Sequence, residues 1–193
     1  MAHKLGAKHV AMTDGDTDTL FQMRNNVRLN FPADACSPQN ITKSGLTNSN
    51  NGRVSCRQLI WGKKQANDFL KYYWEDENAL NQTSSLTSTI CSNKNGNGGS
   101  NDRGEKVDLV MGSDIIYEEE AIGPLFDTVM ELLSSRPLDY NCLFLLSYAR
   151  RNVSIGKIFE CAQRHGLEWT SPEDVEGVFV FSRRKDQLPS ESF

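Results

Sequence analysis

The chain has 193 residues, a formal net charge of −4 and 38% hydrophobic residues, with a mean hydropathy of −0.52 and a pI near 5.4. That length accommodates one domain with a sizeable core, and the low hydropathy points to polar insertions around that core. The acidic balance argues against a nucleic-acid or anionic-membrane surface, and no apolar run is long enough to span a bilayer.

From the N-terminus, "MAHKLGAKHVAMTDGD" contains no signal-peptide core. The five cysteines (Cys36, Cys56, Cys91, Cys142 and Cys161) are odd in number and lack C-x-x-C spacing. Free thiols, a reducing cytoplasmic compartment and no metal site are therefore expected. "KHVAMT" (8–13) suits a short strand and "DTDTLFQMRNNVRLN" (16–30) a helix, with Leu20, Met23, Val27 and Phe31 on one face and Asp16 or Thr17 as N-cap. "RVSCRQLIW" (53–61) is the next strand and "KQANDFLKYYW" (64–74) a short helix. Two stretches poor in large apolar residues, 35–52 and 80–104, read as polar surface insertions within a single domain spanning 1–193. The second holds "NGNGGS" (95–100), which follows no strand and opens no helix, so it fails the context test for a phosphate loop.

"KVDLVMG" (106–112) reads as a fully buried strand. "EAIGPLFDTVMELLSS" (120–135) has helical spacing at Ile122, Leu125, Phe126, Val129, Leu132 and Leu133. "NCLFLLSYA" (141–149) is another buried strand, and "VSIGKIFECAQRHG" (153–166) an amphipathic helix that stops on Gly166. "LEWTS" and "GVFVFSRR" suit two strands paired antiparallel at the end. Strands alternating with helices predict an α/β, doubly wound sheet with an antiparallel C-terminal strand.

In such sheets ligands bind beyond the carboxyl ends of the strands, so the residues at strand ends carry the chemistry. Asp14 ends the first strand, where a carboxylate accepts hydrogen bonds from both hydroxyls of a ribose; we assign it that role and give helix capping to Asp16 or Thr17. Trp61 closes "LIWG", where it either lies against an adenine ring or packs in the core. Asp114 and Tyr117 follow the buried strand directly, facing the same crevice or else forming a solvated turn that starts the next helix. Glu118, Glu119 and Glu120 suit that helix's first turn.

Taken in order, "MTDGD", "LFQMRNNVRLN", "LIWG" and "DLVMGSDIIYEEEAIGPLFDTVMELL" resemble the seven-strand S-adenosylmethionine-dependent methyltransferases. Within them they resemble methyltransferase family 16, which contains many protein-lysine methyltransferases. Asp114-Ile115-Ile116-Tyr117 matches that family's D-x-x-Y motif, and "FLLSYARRN" and "GVFVFSRR" fall where its fifth and last strands would. The resemblance implies a Rossmann-like fold, S-adenosylmethionine as cofactor and a protein substrate bearing a lysine, with no nucleic-acid or membrane partner. It implies catalytic roles for Asp114 and Tyr117 and cofactor contacts for Asp14, Trp61 and Ser113, Ser113 lying along the methionine part. One departure stands out: the family's E-L-G-x-G-x-G loop has no counterpart in the 193 residues. The sheet is accordingly expected to be incomplete at its N-terminus, lacking the central first strand. Two further readings stay open: a non-catalytic remnant acting as an interaction module, and a small-molecule methyltransferase.

Overall fold

The computed structural model describes residues 5–31, 53–71, 107–137, 140–149 and 153–184. The polar insertions at 35–52 and 80–104 lie outside these residues, and so does the end of the helix expected at 64–74. The described residues gather into two compact units, Met1–Ile60 and Trp61–Phe193.

In the first unit, strand β1 (His9–Asp14) leads through Gly15 into helix α1 (Thr17–Asn30), and strand β2 (Arg53–Gln58) pairs parallel with β1 from His9↔Arg53 to Asp14↔Gln58. The helix begins where the sequence predicts. Asp16 is its N-cap, and its carboxylate accepts from the backbone N–H of Thr19 at 2.7 Å and from the Thr19 hydroxyl at 2.8 Å. The expected face turns inward: Leu20 and Val27 are buried with Val54 and Cys56, and Met23 and Phe31 pack against them. The second strand is shorter than the expected 53–61, because past Gln58 the chain turns toward the next helix.

The second unit opens with a bend at Trp61–Gly62 and helix α2 (63–71). Strand β3 (Leu109–Ser113) is followed by a 3-10 turn (Glu119–Ala121) and helix α3 (Ile122–Ser134). Strand β4 (Leu143–Ser147), helix α4 (Ile155–Arg164) and strands β5 (Leu167–Thr170) and β6 (Val178–Arg183) complete it. The strand order is β3-β4-β6-β5, with β3 and β4 parallel and β6 antiparallel to both its neighbours. Parallel strands, intervening helices and an antiparallel closing strand make this the α/β, Rossmann-like arrangement that the alternating pattern predicts.

All six apolar positions expected on α3 are buried. Phe126 is fully buried and meets Phe144 of β4 edge-on at 6.1 Å and Phe181 of β6 at 5.6 Å, which joins the helix to the middle of the sheet. Burying each such ring contributes about 1.5–3 kcal/mol, so this trio is the main anchor of the unit. Helix α4 adds Ile158, Cys161 and Ala162 to the same cluster, and its chain reverses at Gly166, whose φ of 76° suits glycine.

The expectation of a fully buried strand at 106–112 needs correction. The strand runs Leu109–Ser113 and lies at the edge of its sheet, where Leu109 and Met111 are 45% and 54% exposed. Exposure alternates along the strand, with Leu109, Met111 and Ser113 outward and Val110 and Gly112 inward. An unbroken apolar run signals full burial only when both faces of the sheet are covered.

Hydrogen bonds from Thr19, chiefly from its backbone N–H, hold the Asp16 carboxyl below the ordinary carboxylate range. A lowered folded-state pKa means the cap stabilises above the unfolded value and is lost as pH falls through the folded one. Asp16→Ala is therefore expected to lower the melting temperature at neutral pH. The gap from wild type should close as pH falls into the acid range, as read by circular-dichroism melts; a gap constant with pH would dissociate the cap from stability.

Candidate active site

Each unit presents candidate residues at its strand ends. In the first, half-buried Asp14 ends β1, and its Oδ1 accepts the backbone N–H of Asp16 at 2.8 Å while its carbonyl accepts from Leu59 at 3.0 Å. The two aspartates thus divide their work: Asp16 caps α1, and the Asp14 carboxylate, with one backbone bond, retains acceptor capacity.

In the second unit, β3 and β4 stay in register to their last pair, Ser113↔Ser147. The next residue, Asp114, sends its N–H to the Ser147 carbonyl at 2.8 Å and turns into the left-handed region with φ 55°, alone among the described non-glycine residues. Such a conformation costs about 1–3 kcal/mol and persists where neighbours over-determine it. Three neighbours do so. Ile116 is fully buried in the core. Gly112 lies under Ile115, where a Cβ would meet Ile115 Cδ1 at 2.5 Å. The Ser147 carbonyl holds the Asp114 amide. Along the tetrad, Asp114 and Ile115 are half-buried, Ile116 is a core plug, and Tyr117 is 60% exposed. Ser113 is exposed at the same strand end, and Glu119 just beyond pairs with Lys157 of α4.

Sequence reasoning missed the support behind this edge. Tyr148 is buried, donates its hydroxyl to the Val153 carbonyl, and sends its N–H to the Gly177 carbonyl at 2.7 Å. Gly177 has φ 75°, and a Cβ there would meet the Tyr148 carbonyl at 2.9 Å. The end of β4 is therefore clasped from two sides, and it in turn holds Asp114. The positive φ at Gly177 was hinted at only by a glycine before an apolar run.

Trp61 is half-buried and packs against the core cluster of the second unit. Its ring is thus partly supported and partly accessible.

A Cys-His-Asp array elsewhere is structural. His165 faces Asp127 Oδ1 through Nε2 at 3.1 Å, but its Nδ1 lies 2.8 Å from the Cys161 carbonyl and 3.6 Å from the thiol. The carbonyl only accepts, so Nδ1 carries a proton and cannot take one from sulfur. Cys161 is buried, and that burial pushes its thiol above its ordinary value, which disfavours the thiolate.

Gly112→Ala is expected to displace Ile115 and with it Asp114. A cost of roughly 1–3 kcal/mol in stability should appear as a lower urea midpoint with unchanged slope. A midpoint equal to wild type would show that the tetrad tolerates a wider strand end.

Compared with known families, residues 97–165 match the model of methyltransferase family 16, described as lysine methyltransferase. The matched segment contains β3, the D-x-x-Y tetrad, α3, β4 and α4. None of the curated proteins compared matches the chain.

Proposed function

We propose that the chain, similar to lysine methyltransferases through its family 16 segment, transfers a methyl group from S-adenosylmethionine to the ε-amine of a lysine in a protein. The observation that carries this reading is the over-determined, left-handed Asp114 at the end of β3, inside the matched segment and followed by the exposed Tyr117. Strain of this kind, held by the surrounding structure, concentrates at functional sites.

Each unit by itself offers groups that match a part of the cofactor. Asp14 offers a carboxylate with spare acceptor capacity for a pair of ribose hydroxyls, Trp61 a partly accessible ring face for adenine, and Ser113 an exposed small side chain at a strand end for the methionine part. When bound, S-adenosylmethionine would supply an electrophilic methyl on a sulfonium, whose S–CH3 bonding pair stays with the sulfur as the neutral thioether S-adenosylhomocysteine. The protein's own residues must deliver the nucleophile. An ammonium has no lone pair, so the lysine has to lose a proton before it attacks. Asp114 accepts an N–H of the incoming amine and orients its lone pair, and its carboxylate holds or relays the departing proton. Tyr117, exposed three residues on, lines the approach and hydrogen-bonds the same nitrogen through its hydroxyl. The buried thiols of Cys142 and Cys161 fit a cytoplasmic setting, where reduced cysteines persist.

Methyl transfer is tested with isotopically labelled S-adenosylmethionine and a cell extract as the source of substrate. Label should appear on lysine Nε in protein, and Asp114→Ala should abolish it while cofactor affinity falls much less. Label arriving with wild-type turnover in the mutant would remove Asp114 from catalysis, and label confined to small molecules would overturn the protein-lysine reading. For Asp14→Ala the affected quantity is affinity. Losing a charge-assisted hydrogen bond costs about 1.5–3 kcal/mol, so calorimetry should show cofactor binding weaker by roughly ten- to a hundredfold. An unchanged dissociation constant would leave Asp14 only its bond to the Asp16 amide.

A further inference from the structure

The geometry points to Thr128 as a positioning residue for the cofactor, acting through the Trp61–Gly62 turn; this rests on the adenine role of Trp61 proposed above. Thr128 lies in the middle of α3, far in sequence from that turn, and is 3% exposed. It is the buried polar side chain among the described residues, next to the core position Val129. A hydroxyl removed from water there needs partners on both sides, and it has them. It donates to the Pro124 carbonyl one turn back at 2.9 Å and accepts the Gly62 N–H at 2.7 Å.

The accepting half of that pair is what matters for Trp61. A threonine in a helix satisfies its own hydrogen by bonding back to the i−4 carbonyl, which requires nothing from outside. Its lone pair is then free to receive a donor, and the donor it receives is the amide next to Trp61. Gly62 has φ 142°, which glycine adopts readily, and its carbonyl accepts from Ala66 at 3.0 Å, the first helical bond of α2. One residue on, Lys63 reaches Glu131 of α3 at 3.3 Å. Glu131 is three positions after Thr128, on the same side of the helix, so the start of α2 is fastened to α3 at two points one turn apart.

Of the two fastenings, the ion pair is the weaker. Lys63 is 73% exposed, and a surface pair of that kind contributes little. The Thr128 bond is part-buried, with Thr128 itself 3% exposed, and spans 66 positions. It fixes the peptide between Trp61 and Gly62, and therefore the direction in which the indole leaves the chain. Packing against the core cluster supports one part of the ring, and the hydroxyl sets its angle.

The test compares Thr128→Val, which keeps the shape and removes the hydroxyl, with Thr128→Ser, which keeps the hydroxyl. Full-length chains are used, with amide exchange at Gly62 read by NMR and S-adenosylhomocysteine binding read by calorimetry. Thr128→Val should melt cooperatively, exchange Gly62 about tenfold faster or more, and bind the probe about tenfold more weakly. Thr128→Ser should return both quantities to near wild type. If Thr128→Val loses its cooperative melt, Thr128→Ala provides the same comparison without the added branch. Wild-type exchange and affinity in the hydroxyl-free variant would overturn the inference, and so would a serine variant as impaired as valine. A wild-type chain that fails to bind the probe would instead overturn the cofactor reading itself, and the role of Thr128 with it.

Discussion

The hydrogen bond from the Asp114 amide to the Ser147 carbonyl is the constraint on which the candidate site depends. It extends the β3–β4 ladder one step past the last strand pair and lets the chain reverse into a conformation that aspartate adopts reluctantly. Everything beneath it is arranged to keep that step in place. Gly112 leaves room for Ile115, Ile116 fills the core, and the Tyr148 and Gly177 contacts hold the end of β4 where its carbonyl is needed. A left-handed aspartate without these supports would relax, and the carboxylate would point elsewhere.

Packing and chemistry in the second unit share α3. Its inward face carries Phe126, Val129 and Leu133 into the aromatic cluster formed with Phe144 and Phe181. The same helix follows directly from the D-x-x-Y tetrad, and midway along it Thr128 takes the Gly62 amide. A rigid helix anchored by its core residues is thus the common reference for the tetrad at one end and the Trp61 turn at its side. Sites supported this way are held more firmly than sites borne by loops alone.

The first unit is smaller and depends on fewer contacts: a core of Leu20, Val27, Val54 and Cys56 beneath a pair of parallel strands. Its strand end resolves an ambiguity that two neighbouring aspartates create. Asp16 faces the helix N-terminus, where its carboxylate accepts from the Thr19 amide and hydroxyl, so it stabilises α1. The Asp14 carboxylate accepts the Asp16 amide through Oδ1 and keeps spare acceptor capacity.

What the amino-acid sequence determined by itself was local. The 3.6-residue spacing on α3 named all six buried positions, Asp16 was legible as a cap, Gly166 as a stop, and the last two apolar runs as an antiparallel pair. The order of motifs identified the tetrad at Asp114–Tyr117, because its residue types and spacing are contiguous in the chain. Tertiary structure decided the rest. Whether Leu109 and Met111 are covered depends on what packs over their face of β3, which an apolar run does not encode. The left-handed turn at Asp114 depends on a carbonyl 33 positions away, and the Thr128 bond on an amide 66 positions away. Periodicity and capping report interactions within about one turn of a residue, whereas these partners become neighbours only once the helix and sheet have packed.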